Sequence, residues 1–215
     1  MRYISECRST YSMHKLLLVF LLSIFYVSAN GQPARLLNPS FEGEPRDATI
    51  PRGWYACEKG TTPDILPGPW GVYLEAEAGE TYVGLITREN GSWESIGQRL
   101  SKPLEKDECY YFTVSLAHSS AYMGYDKAIK LRIWGGKNKC TRTQLLGESE
   151  RIESNEWETY SFDFTATEKM KYIIIEAHHS DDEFSHQGNI LLDNISAIMK
   201  CGRTELIQLN KHTKG

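Results

Sequence analysis

Hydrophobic and polar residues alternate in short runs along most of the chain after about residue 30. Alternation with a period of two places the apolar side chains on one face of an extended strand. The runs are rich in Val, Ile, Tyr, Phe and Thr, which favour strands, and no long segment has the helical period. The pattern predicts strands over residues 35–41, 82–87, 93–100, 110–118, 128–134, 157–166, 171–177 and 189–199.

The alternation also indicates which faces are buried. Three apolar stripes mark the core-facing sides of three predicted strands: Phe112, Val114 and Leu116; Ile129, Leu131 and Ile133; and Tyr160, Phe162 and Phe164. About eight strands in one domain favour two packed sheets. We therefore expect an all-β fold, a two-sheet antiparallel β-sandwich.

One long segment, residues 43–79, shows little alternation. It holds five of the eight prolines, which disfavour central strands. A loop of this length in a compact domain is usually functional or fixed in place. Cys57 lies within it and offers such a link.

The first 29 residues have a different character. Lys15 precedes an apolar stretch, LLLVFLLSIFYV, and Ser28 and Ala29 follow it. This order is typical of a secretory signal peptide, which is too short to remain as a membrane anchor. We predict cleavage after Ala29. Met13 would itself make a suitable first residue of the signal peptide, which favours the interpretation that residues 1–12 are a mis-annotated upstream extension. The predicted organisation is a leader over 1–29, a β-sandwich over 30–201 and a polar tail over 202–215.

Charge and cysteine content narrow the class of partner and the compartment. The chain has 24 basic and 28 acidic residues, of which the leader removes three and one, leaving a net charge of −6. Nucleic acids and anionic membranes are therefore poor partners. Four cysteines remain after the leader, and an even number in an exported chain predicts two disulfides rather than a zinc site. They are Cys57, Cys109, Cys140 and Cys201.

Motifs for catalysis are missing from the sequence. There is no GxSxG, no HExxH and no glycine loop for phosphate. Glu75, Glu77, Glu94 and Glu176 are acids of the kind that glycoside cleavage uses, but their spacing singles out no pair. We expect that the protein is not an enzyme.

Two motifs carry a resemblance to a known fold. LLNPSFE, residues 36–42, is followed by Gly53-Trp54, and GNILLDNIS, residues 188–196, lies near the far end. Together they resemble the galactose-binding-like jelly roll, and most closely the CenC-type carbohydrate-binding modules of exported bacterial proteins. The resemblance covers about residues 35–201 and implies neighbouring first and last strands.

The resemblance also implies a metal site. In many such modules a calcium ion takes oxygens from the acids that correspond to Glu42 and Asp193, and calcium prefers such hard ligands. In the other interpretation, Asp193 accepts hydrogen bonds from backbone N–H groups of the first strand or the long segment and needs no metal. No other cofactor is expected.

Disulfide pairing follows from the same resemblance. If the strand that Cys109 begins lies antiparallel to the last strand, which Cys201 ends, the two cysteines are in reach. Cys57 would then pair with Cys140. Four cysteines allow three pairings, and the residues alone do not choose among them.

Aromatic residues in or beside loops suggest a ligand surface, because an aromatic face stacks on the apolar face of a sugar. The candidates are Trp70, Tyr73, Trp93 and Tyr122. Trp134 and Trp157 lie at the ends of predicted strands and are expected to cover the core instead.

These features favour an exported, non-catalytic binding module, with glycan as the ligand class. It would act in the periplasm, at the cell surface or outside the cell, without stable membrane insertion after leader cleavage. The alternative is a structural or interaction protein that binds a protein partner of the cell envelope or secretion machinery. A hydrolase or lyase on a jelly roll is the third reading.

Overall fold

The computed structural model describes residues 32–179 and 185–202. The predicted leader and residues 203–215 of the predicted tail therefore lie outside the described residues. No helix among those residues is long and apolar enough to cross a membrane. The strands are β1 (Tyr55–Ala56), β2 (Asp64–Leu66), β3 (Tyr82–Thr87), β4 (Ser95–Leu104), β5 (Cys109–Ala117), β6 (Lys127–Ala128), β7 (Lys130–Gly136), β8 (Gln144–Glu148), β9 (Glu158–Thr165), β10 (Met170–His178), β11 (Gly188–Asp193) and β12 (Met199–Lys200).

These strands form two sheets. One has five strands in the order β1-β4-β10-β7-β8, and the other has seven, with the path β12-β5-β11-β3-β2 and with β9 and β6 added on β5 and β11. All pairings between strands are antiparallel except that of β6 with β11. The predicted all-β two-sheet sandwich is confirmed.

The main core fills the space between the sheets. The three predicted stripes lie in it, with Phe112, Leu131 and Ile133 at most 1% exposed. Phe112 stacks on Phe162 of the paired strand at 5.6 Å. Alternation therefore identified the inward faces correctly, because a period of two separates buried from exposed side chains.

A second, smaller core lies on the other face of the seven-stranded sheet. There the later part of the proline-rich segment packs its side chains, such as Val72 and Leu74, against Tyr82 and Leu191. As a result β11 is buried along its whole length. This accounts for the unbroken apolar run of GNILLD, since a strand covered on both faces has no solvent side to alternate with.

The beginning and end of the fold are neighbours, as the resemblance implied. Ala34 and Ile198 form an antiparallel bridge, with N···O distances of 3.0 and 2.8 Å. The predicted strand over residues 35–41 is wrong, however. Asn38 folds the chain back through side-chain hydrogen bonds with the backbone of Glu42 at 2.8 and 3.0 Å, and such bonds compete with strand formation.

Other strands also differ from the prediction. The strand predicted over 93–100 is found as β4, Ser95–Leu104. The predicted strand over 189–199 breaks at Asn194, whose φ of 50° is left-handed, and resumes only at β12. The β8 strand was missed, because Leu145 and Leu146 are adjacent and Gly147 follows, so the segment does not alternate.

Candidate functional site

An open groove of about 540 Å³ lies beside β2, the last strand of the seven-stranded sheet. The side chains of Trp70 and Met123 are 41% and 68% exposed. The groove therefore combines an indole face and a flexible apolar arm with a charged wall. Its lining residues are Pro45, Arg46, Asp47, Pro69, Trp70, Gly71 and Met123.

The backbone presents Trp70 in an unusual way. Its φ is 58°, between Gly68 at 116° and Gly71 at 78°. A left-handed conformation costs a residue with a side chain about 1–2 kcal/mol, whereas glycine adopts it without steric penalty. The Trp70 carbonyl accepts a hydrogen bond from the Met123 N–H at 3.1 Å, which joins the two apolar parts of the groove.

A buried carboxylate lies behind Trp70. Asp64, at the start of β2, is 4% exposed. It accepts hydrogen bonds from the Ala48 N–H at 2.7 Å and from the Tyr122 hydroxyl, and the Trp70 side chain interacts with it closely enough to lower its pKa. Burial raises the pKa of Asp64, and these hydrogen bonds oppose part of the rise.

The predicted aromatic residues do not form one surface. Trp70 lines the groove, and Tyr73 is 77% exposed but is not part of the lining. Trp93 is half-buried, and its enclosed Nε1 has no hydrogen-bond partner in the described part of the chain. The expectation of an exposed ring is wrong for Tyr122, which is 1% exposed because its ring belongs to the second core.

A second buried acid, Glu94, lies close to Asp64. Its side chain is fully buried, with Oε1 accepting bonds from the Thr62 N–H at 2.9 Å and from Arg88 at 2.7 Å. The Ile86 N–H reaches Oε2 at 3.2 Å. Burial raises the pKa of Glu94 despite these partners, and the charge of Asp64 adds to the rise.

The two acids predicted as calcium ligands are brought to one place. Asp193 accepts bonds from the Ala78 N–H at 2.9 Å and the Asn194 N–H at 2.6 Å. Both oxygens of Glu42 lie 3.2–3.3 Å from the Glu80 N–H. The hydrogen bonds of Asp193 are therefore of the kind that the metal-free interpretation predicted, with the long segment as donor.

Glu42 and Asp193 bring two acidic groups together without a cation in an ion pair with either among the described residues. Asp193 is completely buried. Burial raises its pKa to about 6, and the nearby charge of Glu42 adds to the rise, while the backbone N–H groups oppose it. Within residues 32–179 and 185–202, no three His, Cys, Asp or Glu side chains come together as a metal-binding group. Calcium at Glu42 and Asp193 stays a prediction.

A site that sequence reasoning missed lies on the outer face of the five-stranded sheet. Glu176 of β10 is 3% exposed. It accepts hydrogen bonds from the Trp134 indole at 2.7 Å and from the Arg142 guanidinium at 2.6 Å. Arg142 also contacts Glu58 at 3.2 Å. The expectation that Trp134 covers the main core is wrong, because its neighbours Ile133 and Gly135 occupy the inward positions on β7.

Both predicted disulfides are confirmed. Cys109 bonds Cys201, where β5 meets the end of the chain's last strand. Cys57 bonds Cys140 and so links the long segment to the loop after β7. The Cys57 sulfur lies over the outer face of the five-stranded sheet, only 2.7 Å from where a Cβ on Gly97 would be. The bond therefore fixes the loops that cover Glu176.

No protein-family model and no curated protein sequence matches the chain. Solved structures with the same fold do match. A cyclase from Fischerella sp. TAU has a TM-score of 0.58 at 13% identity, covering 80% of this chain and 98% of that one. An arabinose-bound α-L-arabinofuranosidase has a TM-score of 0.54 at 9% identity, covering 78% of this chain and 26% of that one.

A xylan-binding domain from Paenibacillus barcinonensis Xyn10C has a TM-score of 0.49 at 15% identity, covering 80% of this chain and 97% of that one. Identities this low show the fold alone. The two neighbours with TM-scores above 0.5 share the β-sandwich fold of this chain, and function has to be argued from the site.

Proposed function

We propose that this protein is an exported, non-catalytic module that binds a glycan in the Trp70 groove. The observation that carries the proposal is the exposed indole of Trp70, held in a left-handed backbone conformation at an open groove. Strain of this kind concentrates at ligand-binding positions, where the surrounding structure enforces it.

The groove has the chemistry that a sugar requires. The indole can stack on the apolar face of a sugar ring. Arg46 supplies N–H donors and Asp47 supplies acceptors for hydroxyl groups from the facing wall. The volume of about 540 Å³ falls within the range of about 300–1,000 Å³ that is typical of small-ligand sites.

The acids of the described residues support a non-catalytic role. Asp47 is the only carboxylate among the groove-lining residues, whereas glycoside hydrolysis generally uses two. Glu94 and Glu176 are buried in ion pairs with Arg88 and Arg142. Two disulfides are typical of exported proteins, which supports the proposed localisation outside the cytoplasm.

A glycan array run on the oxidised protein tests the proposal. We expect binding to one glycan class and at least tenfold weaker binding of that glycan by Trp70→Ala. Leu145→Ala is the matched control, because Leu145 is also 41% exposed but lies on β8 in the other sheet. Binding that Trp70→Ala leaves unchanged would refute the groove as the site. An array without any hit would favour the alternative, an interaction protein of the cell envelope.

Because two of the fold neighbours are enzymes, the same experiment includes a check for turnover. Oligosaccharides bound by the protein are recovered after prolonged incubation and analysed by mass spectrometry. We expect them to be unchanged. Cleavage of the oligosaccharides by the wild type but not by Trp70→Ala would show that the protein is an enzyme and would refute the non-catalytic role.

We also propose a structural calcium ion at Glu42 and Asp193. The support is that two acids interact electrostatically and form no ion pair with a cation among the described residues, and calcium binds such hard oxygens. A chelator should lower the melting temperature, because an ion that binds only the folded state stabilises it. Asp193→Asn should remove this response, and an unchanged melting temperature in the wild type would refute the site.

A further inference from the structure

Three segments that build the Trp70 groove converge on the carboxylate of Asp64. Ala48 follows the lining residues Arg46 and Asp47, Trp70 itself lines the groove, and Tyr122 precedes the lining residue Met123. Asp64 accepts hydrogen bonds from the Ala48 N–H and the Tyr122 hydroxyl, and the Trp70 side chain interacts with it. The segment of Tyr122 also holds Trp70 directly, because the Met123 N–H donates a hydrogen bond to the Trp70 carbonyl at 3.1 Å. The groove is therefore assembled around a single acceptor.

The fold makes room for this arrangement. Asp64 is paired with Gly84 on β3. A Cβ on Gly84 would lie 3.0 Å from both the ring and the hydroxyl of Tyr122. Glycine at this position thus lets Tyr122 lie against the sheet with its hydroxyl at Asp64.

The backbone on two sides of Asp64 is strained. Ala48 and Trp70 both have left-handed φ, 49° and 58°. Each such residue costs about 1–2 kcal/mol and persists only where other interactions enforce it. Hydrogen bonds to a charged acceptor are stronger than those between neutral groups, and Ala48 donates one to Asp64. Trp70 is held by the hydrogen bond from Met123, whose neighbour Tyr122 also donates to Asp64.

The ionised form of Asp64 is the stronger acceptor for the Ala48 N–H and the Tyr122 hydroxyl. A carboxylate is purely an acceptor, whereas a carboxylic acid carries a donor of its own. The charged groups that face Asp64 are Asp47 on the groove wall and Glu94, which Arg88 neutralises in part. No lysine or arginine of the described residues forms an ion pair with Asp64. Its negative charge is therefore neutralised only when the carboxylate is protonated at low pH.

We propose that Asp64 is a positioning residue for ligand binding: its carboxylate holds Trp70 in place as the sugar platform, and its protonation releases the indole and weakens binding. The predicted effect on binding rests on the proposed glycan function. The coupling between Asp64 and Trp70 does not depend on any ligand. Burial raises the pKa of Asp64, so the release occurs at a higher pH than an exposed aspartate would give.

The coupling is tested without ligand by following the indole N–H resonances of ¹⁵N-tryptophan-labelled protein as a function of pH. Trp70 is assigned by its loss in Trp70→Phe. We expect the Trp70 resonance to shift in one titration step in the wild type and to stay at its acid position at every pH in Asp64→Asn. Glu94→Gln is the matched control, because it neutralises the neighbouring buried acid and should leave the step in place.

Binding is then measured over the same pH range for xylan, arabinan, galactan and chitin oligosaccharides. We expect at least a tenfold loss of affinity in step with the Trp70 titration, and weak, pH-independent binding by Asp64→Asn. If Asp64→Asn does not fold, Tyr122→Phe replaces it, since it removes one donor and should move the midpoint of the step.

The outcomes separate the two proposals. A Trp70 resonance that does not titrate, or that titrates normally in Asp64→Asn, refutes the positioning role. The expected titration in a protein that binds none of the oligosaccharides supports the positioning role and counts against glycan as the ligand.

Discussion

Two tryptophan–carboxylate pairs lie in different parts of the molecule and are built differently. Trp134 and Glu176 lie on neighbouring strands of the five-stranded sheet, and Arg142 supplies a positive charge. Asp64 begins β2 and Trp70 lies in the loop after that strand. Asp64 is held by neutral donors. The charge of Glu176 is balanced by Arg142. Asp64 has only neutral donors, so the strength of its hydrogen bonds depends on whether Asp64 itself is ionised.

The difference separates a structural site from an adaptable one. Strands fix side chains precisely, and the Cys57–Cys140 bond holds a cover over Glu176. Loops bear most binding functions because they vary and move more easily than the scaffold. We therefore assign stability to the Trp134 region and binding to the Trp70 region. Three predictions test that division, and a fourth, on Asp193, tests the behaviour of a buried acid that has only neutral donors.

The largest effect is expected from removal of the disulfide that covers the Trp134 region. Cys57 and Cys140 are 83 residues apart, for which loop entropy gives a loss of about 4–5 kcal/mol in the free energy of unfolding. Urea denaturation of the Cys57→Ser/Cys140→Ser variant measures it. The indole resonance of Trp134 should shift and that of Trp70 should not.

Cys109→Ser/Cys201→Ser is the control for this change. Its bond spans 92 residues, so the loss of stability should be similar, but the Trp134 resonance should stay in place. A shift of Trp70 rather than Trp134 on loss of the Cys57 bond would contradict the division into two regions.

Breaking the ion pair of Glu176 should have the next largest effect. Arg142→Ala leaves a carboxylate whose side chain is 4% exposed without its cation, which costs about 3 kcal/mol. Arg132→Ala is closely matched, since Arg132 is 27% exposed against 26% for Arg142, but its partner Glu148 is 29% exposed. Such an exposed pair contributes less than about 1 kcal/mol. Equal losses in chemical denaturation would contradict the prediction.

Acids held by neutral donors should make stability depend on pH. The pKa of Asp193 is raised from 3.8 to about 6, so the folded protein binds this proton more tightly than the unfolded chain does. Its contribution is complete below about pH 4 and is lost as the pH rises through about 6, a change on the order of 3 kcal/mol.

The difference in unfolding free energy between wild type and Asp193→Asn isolates this term, because the raised pKa values of Asp64 and Glu94 act in both proteins. In the presence of chelator, the unfolding free energy of the wild type should fall relative to that of Asp193→Asn as the pH rises from 4 to 7. A constant difference would show that Asp193 does not titrate in this range.

The smallest effect on stability is expected at the proposed binding residue. Trp70→Gly loses the contacts of a side chain that is 41% exposed but relieves left-handed strain of about 1–2 kcal/mol. We expect a net loss of under about 2 kcal/mol by thermal denaturation, because the relieved strain offsets only part of the lost burial. Trp70→Ala should be the less stable of the two variants because it keeps the strain. A large loss in Trp70→Gly would make Trp70 a structural residue.

Alternation was sufficient to predict the sandwich because it records which side of each strand is buried. The predicted strand over residues 157–166, for example, is found as β9, in which Phe162 and Phe164 are buried and Asp163 and Thr165 are exposed. It failed where side chains replaced the strand's own hydrogen bonds, as at Asn38, and where a strand was too short to show a period, as in β1.

The sites were harder to predict because their members are far apart in the chain. An exposed tryptophan in a proline-rich loop indicated Trp70, but Asp64 and Tyr122 are separated by 58 residues and Arg142 and Glu176 by 34. Nothing in the local sequence distinguishes Asp64 from the other acids. Only the fold shows that it accepts hydrogen bonds from Ala48 and Tyr122, which are next to residues that line the groove.

The bridge between Ala34 and Ile198 has a consequence for how the domain can be joined to others. Its entry and exit points sit side by side, and the Cys109–Cys201 bond secures the exit. A sandwich of this kind can be placed within a surface turn of a host protein without spreading the host's chain apart.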